Sequence, residues 1–173
     1  MAGKLIQVAT ETVSNPTSTV TLTGVNTNDV YVVVMTDVKV ETDARSVSMR
    51  VTKSGSPDNS GNYDMAYKSF NATGGFGDAS HPNYTSFRYL VADNLGTGTG
   101  EAANAIIYLY SFNNASTYSF ITSEVTEVNS SGTHRGNQGG GMHTVNSASD
   151  GVHFLDVDGG NITSGTFTLY KVN

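Results

Sequence analysis

Apolar and polar side chains alternate with a period of two along nearly the whole chain. Ser18 to Thr23 sets Val20 and Leu22 against Thr19, Thr21 and Thr23, and Arg45 to Thr52 sets Val47, Met49 and Val51 against Ser46, Ser48 and Arg50. Such alternation puts successive side chains on opposite faces of a strand. Lys4 to Val13, Tyr63 to Phe70, Tyr84 to Val91, Thr117 to Val128 and Val152 to Val157 fit the same template, with a weaker strand at Met142 to Val145. Two stretches are apolar on both faces and predict central strands. One is Val30 to Met35, continuing through Val38 and Val40 on its even face. The other is Ala105 to Phe112, with Ile106, Tyr108, Tyr110 and Phe112 opposed to Ile107 and Leu109. The chain closes on Thr166 to Val172, where Phe167 and Leu169 share a face. A lone terminal strand leaves its ladder groups unpaired, so this one is predicted to sit between earlier strands.

Turn chemistry separates these segments. Asn15-Pro16 predicts a tight connection that makes the first two strands an antiparallel hairpin. Ser54 to Asn62 and the Gly-rich stretches Asn71 to Asn83, Asn94 to Gly100 and Asn129 to Gly141 read as loops by composition. No window of useful length shows a period of 3.6. The expectation is one all-β domain over residues 1–173, an antiparallel two-sheet β-sandwich of jelly-roll-like form with roughly nine to eleven strands.

Composition narrows the chemistry. Charged residues make up 14% of the 173, and the net charge is −6. The cations Lys39, Arg45, Arg50, Lys53, Lys68, Arg88 and Arg135 are scattered, which argues against a phosphate-tracking groove and hence against nucleic acid as a partner. The absence of cysteine excludes disulfides, thiolate metal sites and a cysteine nucleophile. Met1 to Gln7 has no long apolar run, so neither a signal peptide nor a membrane span is expected.

Candidate sites are few. Asp156, Asp158 and Asn161 offer oxygen ligands around Gly159 and Gly160, the outline of a calcium loop, but no bidentate Glu follows and an Asp/Gly turn accounts for the same residues. No cofactor or metal is assigned. His81, His134, His143 and His153 lack zinc spacing, and no Gly-x-Ser-x-Gly elbow precedes a helix. Glu124 and Glu127 fall on opposite faces of one strand, so a paired-carboxylate glycosidase has no obvious centre. A glycan-degrading enzyme therefore ranks third among the readings. Nine Tyr and no Trp are more aromatics of one kind than a core needs, and Tyr suits contact surfaces. Tyr63, Tyr67, Tyr84 and Tyr108, with His134 and Arg135 from the long polar segment, are the candidate interface residues. The Asn-x-Ser/Thr triplets at Asn71, Asn83, Asn114, Asn129 and Asn161 are expected products of a composition rich in these residues.

The order of features resembles a family of small β-sandwich virion proteins of tailed bacteriophages, especially phages of marine bacteria and cyanobacteria. The residues that carry it are Leu5-Ile6, Thr42-Asp43-Ala44 before an alternating strand, Tyr63 with Ala66-Tyr67, Gly100-Glu101 before the Ile106 to Phe112 strand, and the closing Gly165-Thr166-Phe167-Thr168-Leu169-Tyr170. Lys171 and Met142-His143-Thr144 depart from the pattern. The resemblance implies a head decoration or cement subunit in the virion, made in the host cytoplasm and acting through contacts with its own copies, as a trimer or a set of copies on a larger lattice, and with capsid or tail proteins. Its alternative is a tail-fibre or adhesion module that binds host-surface glycan. It brings no catalytic residues. The Gly-rich loops, too many to pack on the chain itself, point in the same direction, toward a homo-oligomer.

Overall fold

The computed structural model describes residues 3–173, and the first two residues of the Met1 to Gln7 segment lie outside it. It is all-β: thirteen strands and no helix among the described residues. These are β1 (Leu5–Val13), β2 (Thr19–Thr23), β3 (Tyr31–Val40), β4 (Arg45–Lys53), β5 (Ser56–Pro57), β6 (Tyr63–Asn71) and β7 (Gly75–Tyr84). The remainder are β8 (Phe87–Leu95), β9 (Ala103–Tyr110), β10 (Ser119–Val128), β11 (His134–His143), β12 (Gly151–Asp156) and β13 (Ile162–Val172). They pair antiparallel in two sheets. The eight-stranded sheet runs β1-β13-β3-β9-β10-β11-β6-β7, and the five-stranded sheet runs β2-β12-β4-β5, with β8 also on β4. Inward-facing side chains of both form one core, including Val20, Leu22, Val33, Met49, Phe87, Leu90, Ile107, Leu109, Phe154 and Phe167.

The terminal strand lies where its pattern predicts, between β1 and β3. Phe167 and Leu169 are fully buried, and the Phe167 ring meets Phe154 of the opposite sheet with centroids 5.0 Å apart. Both strands predicted to be central, β3 and β9, have neighbours on either side.

Several expectations are corrected. β1 and β2 are not a hairpin: β1 pairs with β13 and β2 with β12, so Asn15-Pro16 is the crossing between sheets. In β3 the register shifts between Met35 and Val38, where Asp37 has φ 54°. This bulge turns Val38 and Val40 inward with Tyr31, Val33 and Met35, although an unbroken alternation would place them on the opposite face. In β9 the core face is Ala103, Ala105, Ile107 and Leu109, while Ile106 and Tyr108 look outward, each 41% exposed. Ser56–Pro57 pairs briefly with β4 inside the presumed Ser54 to Asn62 loop.

The largest departure is in the Gly-rich stretches. Asn71 to Asn83 supplies most of β7, and Asn129 to Gly141 supplies most of β11, so two of the three long loops are strands. Low strand propensity is outweighed here because β11 lies between β10 and β6 and is paired along its length on both sides. Its glycines are needed where neighbours close over it. A Cβ on Gly139 would lie 2.3 Å from the Ala66 carbonyl oxygen, and one on Gly136 would lie 2.2 Å from the Phe70 ring.

Gly139→Val should therefore destabilise the fold by about 3 kcal/mol or more, since the neighbouring atom is backbone and cannot turn away. Phe167→Ala should cost about 3 to 5 kcal/mol through the cavity left between the sheets. Urea unfolding midpoints measure both, and a Gly139→Val protein as stable as its parent would overturn the close-packing account of β11.

Candidate functional site

The structure separates the predicted interface residues. Tyr63 is core, with no exposed surface. Its hydroxyl donates to the Asp58 carbonyl at 2.6 Å and accepts the Val51 N–H at 3.2 Å, which lets a polar tip lie between the sheets. Burial raises its phenol well above the ordinary value. Tyr67 and Tyr84 are half-buried in an aromatic cluster with Tyr89 and His81, whose ring centroids lie 4.6 Å from those of Tyr89 and 5.0 Å from Tyr84. Burial raises Tyr67 and Tyr89 as well. The eight-stranded sheet is wider than its partner. Its overhanging β6 and β7 end is covered by β8 and these rings, which accounts structurally for much of the tyrosine. Of the predicted tyrosines, Tyr108 alone stands on an open face, beside a parallel Tyr110 ring 6.4 Å away.

His134 and Arg135 are consecutive on β11 and therefore point to opposite faces. His134 lies outside, exposed, against Phe70 with centroids 6.0 Å apart and within 2.9 Å of Thr126 Oγ1. Arg135 turns inward and pairs with Asp93 at 2.6 Å. They do not form one site. Arg135 instead belongs to a buried polar group that the sequence did not reveal, because its members come from four strands. Asp93 Oδ1 accepts the Ser46 hydroxyl at 2.9 Å, and the Asp93 N–H donates to Glu127 Oε2 at 2.9 Å. Glu127 is 2% exposed, and its Oε1 has no partner. Burial pushes its carboxyl up to about 8. The Asp93 N–H opposes that rise, the Asp93 charge adds to it, and Arg135 opposes it again. Burial thus favours the protonated, uncharged form of Glu127 beside the Asp93–Arg135 ion pair.

Asp156, Asp158 and Asn161 are drawn into local contacts. The Asp156 oxygens accept the N–H groups of Asp158 and Gly160 at 2.9 and 3.1 Å. Asp158 pairs with Arg88 and lies 3.7 Å from Arg45, while Asn161 donates to Glu41 at 2.7 Å. Among the described residues no three His, Asp or Glu side chains converge as metal ligands would. A serine, a histidine and an aspartate do meet elsewhere. His143 Nε2 lies 3.4 Å from Asp58 Oδ2, and Ser119 is the cross-strand partner of His143. Ser119 and His143 are wholly buried, neither Ser119 Oγ nor His143 Nδ1 has a hydrogen-bond partner, and burial lowers the imidazole while the Asp58 charge opposes that fall. Ser119 and His143 lie within the core, and Asp58 at its edge also pairs with Lys53 at 2.9 Å.

Large exposed apolar side chains are Leu5 (54%) and Ile6 on the β1 edge, Phe76 (89%) on the β7 edge, Ile106, Tyr108 and Phe120 on the outer face of the eight-stranded sheet, and Tyr118 just before β10. Phe76 was hidden in a segment whose composition reads as loop. Phe120 was legible as one face of an alternating strand, but the pattern does not say which face is wet.

No protein-family model and no curated protein matches the chain. A solved structure of infectious bursal disease virus, Gt strain, aligns over 99% of this chain and 42% of that chain, at 10% identity and a TM-score of 0.11, a likeness too slight to bear on fold or function. The chain spans less than half the length of that viral chain.

Glu127 makes the fold sensitive to pH. The native state holds its proton up to about 8 whereas the unfolded chain releases it near 4.5, so the native state binds more protons between those values. The contribution of Glu127 is full below about 4.5 and is lost as pH rises through 8. Glu127→Gln keeps the shape and the acceptor for the Asp93 N–H and should flatten that slope, gaining about 2 to 5 kcal/mol relative to the parent at alkaline pH. Parallel unfolding curves at mildly acid and alkaline pH measure it, and an unchanged slope would show that Glu127 is ionised in the fold.

Proposed function

We propose that the protein is a structural subunit of a tailed-phage particle, a head decoration or cement protein that works by contact and not by catalysis. The resemblance of its turn and core residues to small virion sandwiches suggests the class, and one observation supports it above the others. Both margins of the eight-stranded sheet are open among the described residues, because β1 pairs only with β13 and β7 only with β6. Each margin carries large apolar side chains, with Phe76 at 89% exposure the most prominent. Open edges invite strand addition from a neighbour. An isolated Phe in water forgoes roughly 1.5 to 3 kcal/mol of burial. Two of the Gly-rich stretches are strands and not unpacked loops, so assembly rests on the open edges instead.

On this reading a copy's β1 or β7 margin docks against a shell protein or a second copy. Phe76→Asp should leave the fold intact, since the side chain touches little, and weaken association with purified particles at least about tenfold. Light scattering after size exclusion, with and without capsids, reads the outcome. A parent protein that stays monomeric and ignores capsids would overturn the assignment. Loss of binding in Leu5→Asp but not Phe76→Asp would move the contact to the opposite margin.

A further inference from the structure

The outer face of the eight-stranded sheet has relief that follows from its register. Three rungs of cross-strand partners face outward from β9 to β7. The first is Tyr110, Phe120, Met142 and Asp64; the second is Tyr108, Thr122, Gly140, Ala66 and Ser80; the third is Ile106, Glu124, Gln138, Lys68 and Asp78. Small residues fill the second rung beyond Tyr108, so it forms a valley floor between two taller rungs. Same-face rungs are about 6.7 Å apart and strands about 4.8 Å apart. The valley therefore runs across the strands for about 19 Å, between walls about 13 Å apart at the backbone. Two shallow hollows of about 590 and 650 Å³ occupy it and share Ala66 and Ser80.

The walls differ in chemistry. On one side are Phe120, 42% exposed, and Met142, with Tyr108 and Tyr110 at the head of the valley. On the other side Gln138 Nε2 donates to Glu124 Oε1 at 3.0 Å, which holds that carboxylate in place. Asp64 at the end of the first rung accepts the Asn83 N–H at 2.8 Å, and the one cation at the margin, Lys68, is paired with Asp78 at 3.1 Å. The first wall is thus aromatic and apolar up to Asp64 at its end, the second is rich in acceptors beyond Ile106, and the lining is negative in net charge. Such a surface disfavours phosphate, sulfate and carboxylate ligands. It matches a neutral ligand with an apolar flank and many hydroxyl donors.

We propose that this valley binds a neutral oligosaccharide, with the ring faces of the sugars on Phe120 and Tyr108 and their hydroxyls donating to Glu124, Gln138 and Asp64. The valley ends on β7 and does not reach β1, so a subunit fixed to a particle by its β1 edge would still present it.

The test uses the full chain and short neutral oligosaccharides of glucose, mannose and galactose, with uronic acid and sulfated oligosaccharides as the contrasting set, read by isothermal titration and by amide chemical shifts. At least one neutral series should bind, and its shifts should map to Thr122, Gly140, Ala66 and Ser80. Phe120→Ala and Tyr108→Ala should each weaken binding at least about tenfold. Ala66→Gln, at an exposed position on the valley floor, should block binding while leaving the melting temperature unchanged. Phe76→Asp should bind sugar like the parent, which keeps failure of this site distinct from failure of the assembly reading. Three results would overturn the proposal: no neutral sugar bound, equal or tighter binding of the anionic set, or sugar binding indifferent to Phe120→Ala and Ala66→Gln. Concentration-dependent shifts of the same rungs without sugar would mark the face as a protein contact and would also overturn it.

Discussion

The fold depends on the seating of β13. It is the sole strand to which β1 is hydrogen-bonded among the described residues, and it forms the other flank of β3. Its inward Phe167 also meets Phe154, so the same few residues tie one sheet along its ladder and join the two sheets through the core. Each half of this arrangement needs the other. Ladder bonds contribute little net free energy when water can replace them, but they become expensive to break once the strand is covered on both faces. Thr168 shows the covering. It lies on the outer side, yet it is buried and makes a 3.0 Å hydroxyl contact with Thr10 across the pair.

A second constraint is the unequal width of the sheets. Eight strands face five, and β8, on the side of the smaller sheet nearest β10, β11 and β6, carries Tyr89 into the Tyr67, Tyr84 and His81 rings and Asp93 to Arg135 and Glu127. Polar groups are tolerated there because they are paired or neutral: Asp93 has Arg135 and Ser46, and Glu127 keeps its proton. Strand β7, at the margin of the eight-stranded sheet, is paired on one side only. Most β7 side chains are exposed, so it is expected to open at lower free energy than the β3-β13 region. A margin that is weakly held and carries Phe76 is well suited to rearranging against a neighbour, which is how local stability bears on the proposed assembly role.

The outer face follows from register in the same way. Its valley exists because Gly140, Ala66, Ser80 and Thr122 fall on one rung, and they do so only because β10, β11, β6 and β7 pair as they do. Slipping one strand by a single residue would move inward side chains out and erase the relief. The tyrosines divide by the same logic: identical residues serve as core at position 63, as cover at 67 and 84, and as surface at 108.

Alternation in the sequence was sufficient to determine that this chain is all-β, that it forms two packed sheets, and that the stretches Val30 to Met35, Ala105 to Phe112 and Thr166 to Val172 supply central strands. These are local consequences of a two-residue period that any sheet must satisfy. What it left open was decided by partners distant in sequence. Asn129 to Gly141 reads as loop because glycine favours no strand by itself, and it becomes β11 because two neighbours supply a full ladder and fold Phe70 and Tyr67 across it. Val38 and Val40 changed face through a single bulge, and Ile106 and Ile107 were indistinguishable until the second sheet chose which of them to cover. The candidate sites were hardest to read. Glu127, Asp93 and Arg135 are unremarkable apart, and only tertiary structure brings them together, because burial and charge proximity are properties of the assembled sheets and not of any segment.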